Sequence, residues 1–246
     1  MRSKILNQPI DIFSFEEAAS LLRMAFINPK QFKVITLNPE MIVNSAKNVE
    51  FQAAINNAHL IIPDGTGIVW GYKLLSNIQE NKIERIPGIE FAEKALEFAD
   101  ELKKKVAIFG GSIEVNEKVS SILQDKYPHI ILTKSIHGYQ SEEKYQKIAE
   151  DISETNPDLV LVALGSPKQE IWINQFSYLF PNSVLIGIGG SLDVWSGKVT
   201  RAPKKIREMN LEWLYRALSQ PKRTTRILRS LPKYVCMIIK EKLTQP

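Results

Sequence analysis

Leu159-Val160-Leu161-Val162-Ala163-Leu164 runs straight into Gly165-Ser166-Pro167-Lys168-Gln169-Glu170. Six apolar residues without polar alternation fit a strand buried on both faces, as in a parallel sheet. The glycine turn and the polar residues after it fit a helix start, with proline at an early position. This strand, turn, helix sentence repeats along the chain. Phe32–Leu37 ends at Asn38-Pro39, His59–Ile62 at Pro63-Asp64-Gly65, and Val106–Phe109 at Gly110-Gly111-Ser112. Ile130–Leu132 leads to His137-Gly138-Tyr139, and Val184–Ile188 to Gly189-Gly190-Ser191. Helical periodicity fills the intervals at 15–25, 40–56, 89–102, 115–126, 142–153 and 168–180. The expected fold is α/β: a Rossmann-like, doubly wound, mostly parallel sheet with helices on both faces.

In such sheets ligands bind beyond the carboxyl ends of the strands. The polar and glycine residues of this chain collect there. Gly110, Gly111 and Ser112 can bring backbone to a phosphate at a helix N-terminus, or simply make a tight turn. Asp64 can act as a general base, or cap the helix beginning near Ile68. Thr36 and Asn38 can bind a sugar, or serve as turn and cap residues before Pro39. Gly165, Lys168 and Gln169 can hold phosphate or sugar, or merely begin a helix. Asp193, after the glycines at 189–190, and Tyr139 complete the candidate substrate-binding set. There is no GxGxxG and no GxxxxGK[ST], so neither a dinucleotide site nor a P-loop is supported.

Metal chemistry finds little support. His59, His129 and His137 share no ligand spacing, and no Asp-x-Asp pair occurs. The single cysteine, Cys236, excludes an internal disulfide and a cysteine-rich zinc site. The N-terminus lacks the apolar core of a secretory signal, and no 18-residue apolar run exists. The expectation is a cytoplasmic protein that meets a membrane only peripherally, at its inner face.

Charge divides the chain in two. From Lys198 onward there are 13 Lys/Arg against three Glu and no Asp, a net of +10. The whole chain is +5, so residues 1–197 carry a net −5. The expected division is an α/β domain over 1–195 and a basic, amphipathic, helical appendage over 196–246. Arg216, Arg223 and Arg226 fall on one side of a helix there, with Pro221 and Pro232 expected to break it into short pieces. Such helices read as membrane-surface elements, and their arginines can grip a diphosphate. The alternative is a basic surface whose apolar side packs on the body or on another subunit. No recognition motif accompanies the charge, so nucleic acid is not an expected partner.

Eight short motifs occur in order: Thr36–Glu40, Pro63–Gly67, Glu84–Gly88, His137–Tyr139, Gly165–Glu170, Gly189–Asp193, Arg201–Pro203 and Leu211–Arg216. Together they resemble the WecG/TagA/CpsF glycosyltransferases over about residues 30 to 230. The resemblance implies an inverting transfer of N-acetylmannosamine (ManNAc) or a related sugar from a UDP-sugar. The implied acceptor is undecaprenyl-diphosphate-linked N-acetylglucosamine (GlcNAc), as in wall teichoic acid linkage-unit synthesis. It implies no metal and no cofactor. Asp64 matches the family's proposed general base, Thr36 and Asn38 its substrate-pocket residues, and Arg85 and Gln169 its polar groups. Oligomeric state is left open. A nucleotide-dependent oxidoreductase or methyltransferase lacks its glycine fingerprint here, and a basic membrane adaptor leaves the strand-end loops unexplained.

Overall fold

The computed structural model describes residues 1–76, 83–219 and 221–244, excluding the side chains of residues 221–223. Arg223 therefore lies outside the described side chains. A six-stranded parallel sheet forms the centre, in the order β4(Leu60–Pro63), β3(Phe32–Leu37), β8(Val184–Gly187), β7(Leu159–Ala163), β5(Lys105–Gly110), β6(Ile131–Ile136). The doubly wound expectation holds. Side chains alternate along each strand between two apolar layers. Val34, Ile62, Ile108, Leu161 and Ile186 face one layer. Ile35, Leu37, Ile61, Phe109, Val162 and Leu185 face the other.

The first layer is closed by α1(Phe15–Ile27), α5(Gly88–Glu101), α6(Ile113–Lys126) and α9(Ser191–Trp195). Over β3 and β4 the second layer holds α2(Pro39–Ser45), α3(Val49–Asn56) and α4(Thr66–Leu75). Over β5, β7 and β8 it holds α7(Tyr145–Ser153) and α8(Lys168–Phe176), packed around Trp172. The chain leaves β3 toward the second layer but leaves its neighbour β8 toward the first. Loops that part in this way open a crevice at the carboxyl ends.

Two local expectations are corrected, and one further element appears. The helix expected at 40–56 is two helices, α2 and α3, because Asn48 starts a new one by accepting from the Phe51 N–H at 2.9 Å. An N-terminal hairpin, β1(Arg2–Ile5) with β2(Gln8–Asp11), turns through Leu6 and Asn7 at φ +47° and +63°. It is fixed to the edge of β4: the Asp11 carboxylate takes the Ile61 N–H at 2.8 Å and pairs with Arg2. The expected break at Pro232 does not occur.

After α9 come α10(Lys204–Glu208), α11(Glu212–Ser219) and the continuous α12(Pro221–Thr244), with Pro232 inside it. An internal proline costs a helix about 3 kcal/mol. Burial offsets it here, because α12 lies on α2 and α4 with Tyr234 and Ile238 wholly inside the core. The Tyr234 hydroxyl donates to the Gly67 carbonyl at 2.9 Å. Gly71 permits the approach, since a Cβ there would meet that hydroxyl at 2.2 Å. One side of the basic segment thus packs on the body, while Leu228, Ile239 and Leu243 remain exposed.

Candidate active site

The site begins where β3 and β4 end. Their ladder pairs Thr36 with Ile62 and Leu37 with Pro63, and the Asp64 N–H then donates to the Leu37 carbonyl at 2.8 Å. This continuation of the parallel ladder puts Asp64 level with Asn38, just past the carboxyl end of the sheet, so that Asp64 and Thr36 share one face. The first residue of α5, Gly88, closes over both. A Cβ on Gly88 would meet Thr36 Cγ2 at 2.9 Å and Asp64 Oδ2 at 3.2 Å. The Asp64 carboxylate therefore faces a helix N-terminus, which favours negative charge. Asn38 is nearby but occupied: its Oδ1 caps α2 by accepting from the Met41 N–H at 3.1 Å.

Opposite stands a cluster of arginines gathered by one acid. Glu212, the first residue of α11, is buried. Its Oε2 accepts from Arg85 Nη2 at 2.8 Å, and its Oε1 lies 3.6 Å from Arg201 Nε, an ion pair too long for a hydrogen bond. Burial pushes the Glu212 carboxyl up, but the Arg85 hydrogen bond and the charges of Arg201, Arg85 and Arg216 outweigh it. The carboxyl is held below its ordinary value. Arg216 is half-buried, one turn along α11, and feels the charges of both Glu212 and Asp64. Burial lowers its pKa, with Arg201 and Arg85 adding to the fall and the two carboxylates opposing it. A guanidinium stays charged regardless. Arg216 Nη2 lies over Gly190 in the β8 exit, where a Cβ would approach it to 3.6 Å and Asp193 Oδ2 to 4.0 Å. Among the described residues, the buried Nε atoms of Arg85 and Arg201 have no hydrogen-bond partner. They are donors left over for an anion.

A cleft of about 660 Å3 opens beside this cluster. Thr66, Val69, Trp70 and Lys73 of α4 form one wall, and Arg85 and Glu212 lie at its inner end. Its mouth carries the exposed aromatic Trp70 and the cations of α10.

Other candidates sit further along the sheet edge. Gly110, at φ +140°, passes so close to β7 that a Cβ would lie 2.3 Å from the Ala163 carbonyl oxygen. Gly111 follows, and Ser112 caps α6 by accepting from the Val115 N–H at 3.3 Å. Buried Asn116 ties this turn to the β6 exit, donating to the Gly110 and Ile136 carbonyls at 3.0 and 3.1 Å. Tyr139 is exposed. Gly165 has open space where a side chain would be. Lys168 is on the surface, paired with Glu142 at 2.7 Å. Gln169 is buried, its Oε1 accepting from the Gly189 N–H at 3.0 Å and its Nε2 donating to Glu170 at 2.7 Å. Arg226 makes a two-pronged pair with Glu40 on α2, at 2.8 and 3.0 Å. Thr36, Asp64, Arg85, Arg216 and Asp193 thus gather around the β3–β8 crevice, while Lys168, Tyr139 and Arg226 stand on the surface.

Four participants escaped the sequence reading as site residues: Gly88, Arg201, Glu212 and Glu170. A signal existed for Glu212, one of only three acids in a segment of 13 cations. Glu170 is 3% exposed, and burial pushes its carboxyl up to about 7 against partial opposition from Gln169. A carboxyl raised from 4.5 costs stability as pH rises between the two values, because the unfolded chain releases the proton first. Glu170→Gln removes that loss. Its stability relative to wild type should therefore increase from pH 4.5 to about 7, by on the order of 3 kcal/mol, and then level off in denaturant titrations.

A doubly wound sheet with a carboxylate and a cluster of arginines at the carboxyl ends of its strands can hold an anionic ligand. A model of the glycosyl transferase WecG/TagA/CpsF family matches residues 3–246, and the chain belongs to that family. Among similar proteins is the N-acetylglucosaminyldiphosphoundecaprenol N-acetyl-beta-D-mannosaminyltransferase of Bacillus spizizenii. It is 36% identical over 243 residues, covering 98% of this chain and 92% of that protein. The Bacillus subtilis strain 168 protein of the same name is 36% identical, covering 89% and 84%. The one from Staphylococcus aureus strain MRSA252 is 37% identical, covering 85% and 80%.

Proposed function

We propose that this glycosyltransferase moves ManNAc from UDP-ManNAc to the GlcNAc of undecaprenyl-diphosphate-GlcNAc, the step that builds a wall teichoic acid linkage unit. The observation that carries the reading is the juxtaposition of Asp64 with the arginines around Glu212. Sugar transfer with inversion needs a base for the incoming hydroxyl and positive charge for the departing diphosphate, on opposite sides of one carbon. The relatives' shared name supplies the acceptor and the sugar.

The donor's nucleotide lies along the crevice toward Gly110, Gly111 and the start of α6, where backbone N–H groups favour phosphate. Asp64 takes the proton from the acceptor GlcNAc 4-hydroxyl. The resulting oxygen forms a bond to the donor anomeric carbon from the face opposite UDP. The bond from that carbon to the diphosphate oxygen breaks, and UDP leaves with the electron pair. Arg216, Arg85 and Arg201 meet the charge, a role that divalent metal ions fill in other transferases. The cleft along α4 admits the acceptor.

Residues 196–246 act as a basic, helical appendage that completes the site from the cytoplasmic membrane face. Exposed Trp213, Leu214 and Leu218 lie in the segment that carries a net +10 from Lys198 onward, which suits an anionic leaflet. No described helix is long and apolar enough to cross a membrane. The test is the product's stereochemistry. Nuclear magnetic resonance of the disaccharide should show a β-linked ManNAc from the α-configured donor. An α linkage would exclude the single displacement by which Asp64 is assigned its role.

A further inference from the structure

The second and third residues of α8 both turn inward. Gln169 and Glu170 are 4% and 3% exposed. Gln169 Nε2 donates to Glu170 Oε1 at 2.7 Å, and Gln169 Oε1 accepts from the Gly189 N–H at 3.0 Å. A primary amide has two unlike ends, and Glu170 Oε1 accepts whether the carboxyl is ionised or carries its proton on Oε2. Glu170 therefore decides which way the amide points: Nε2 toward itself, Oε1 toward Gly189. The fit leaves no slack, because a Cβ on Gly187 would meet Gln169 Nε2 at 2.7 Å. The residue after Gly189 is Gly190, over which the Arg216 guanidinium lies. One chain of contacts thus runs from a buried carboxyl, through an amide and a loop, to a cation at the crevice. Glu170 Oε2 and the Ser166 hydroxyl are buried beside it without sound hydrogen bonds of their own.

We propose that Glu170 is a positioning residue for the transfer reaction: through the Gln169 amide it fixes the β8 exit loop that supports Arg216. The inference rests on the function proposed above. Leu in place of Glu170 keeps the volume and removes the acceptor. Gln keeps an acceptor oxygen for Gln169 Nε2 and turns its new N–H2 toward Ser166.

The experiment compares wild type, Glu170→Leu and Glu170→Gln by steady-state kinetics with UDP-ManNAc and a short-chain lipid-diphosphate-GlcNAc. Amide exchange at Gly189 is followed by nuclear magnetic resonance alongside. Glu170→Leu should lose about tenfold or more in kcat, with donor KM changed far less, because small misplacements act on the transition state. Protection of the Gly189 N–H should fall with it, and Glu170→Gln should restore both. Equal activity in wild type and Glu170→Leu, or equal impairment of both variants, would overturn the inference. If wild type transfers no ManNAc, the functional reading fails and the exchange arm alone decides: unchanged Gly189 protection in Glu170→Leu would overturn the positioning role.

Discussion

Asp64→Asn should reduce transfer by about 10²- to 10⁴-fold while leaving the protein folded and the donor bound. The range is that of a positioned general base removed from its reaction. The structure makes the substitution a clean one. The Asp64 backbone extends the β3–β4 ladder through its N–H bond to Leu37, and this bond is kept in the variant. Asparagine matches the shape of aspartate beside Thr36 and Gly88. What it removes is the capacity to take a proton. The loss should therefore fall on kcat, measured with saturating donor and acceptor. A fall confined to KM would instead assign Asp64 to substrate binding.

The second large effect concerns Glu212. Glu212→Leu leaves Arg85 and Arg216 without the carboxylate that gathers them, and Arg201 with Glu90 alone. Removing one partner of a buried ion pair typically costs about 3–5 kcal/mol, because the remaining charges stay desolvated. The cost should appear as release of α11 from the body rather than as global unfolding. β3, β4 and their core do not include Glu212, and Arg201 and Arg207 retain Glu90. Limited proteolysis should cut at 201–219 at rates raised at least a hundredfold, and transfer should fall with it. The pH sense is fixed by the same contacts. With its carboxyl held low in the folded state, Glu212 stabilises the docked segment above the ordinary carboxylate range. That stability is lost as pH falls through the folded value. Wild type below pH 4.5 should thus begin to resemble Glu212→Leu in its cleavage pattern. Cleavage that is insensitive to both changes would remove Glu212 from the docking of α11.

What the sequence disclosed and what it hid follow physical lines. Strands such as Leu159–Ala163 are buried on both faces, so they advertise themselves as apolar runs, and the sheet could be read directly. Loops at their ends carry glycine for steric reasons, as at Gly110 against Ala163, and these too were visible. The hairpin at 2–11 was not. Its turn is Leu6-Asn7 rather than an Asn-Gly pair, and its strands are four residues each. Pro232 misled because the burial of Tyr234 and Ile238, which holds α12 straight, is a tertiary fact.

The site divides in the same way. Asp64 and Thr36 were legible because each ends a strand. Lys168 and Gln169 share a motif, yet one lies on the surface and the other inside, since adjacent helix positions point about 100° apart. Glu212 reaches Arg85 across 127 residues, a pairing that no local pattern encodes.

The most direct test of acceptor-dependent, arginine-assisted transfer is UDP release from UDP-ManNAc by the wild-type chain, with and without a short-chain polyprenyl-diphosphate-GlcNAc, in excess EDTA. The predicted result is release that requires the acceptor and is untouched by chelation. Release that needs an added divalent ion, or none with this acceptor under any membrane mimic, would contradict it.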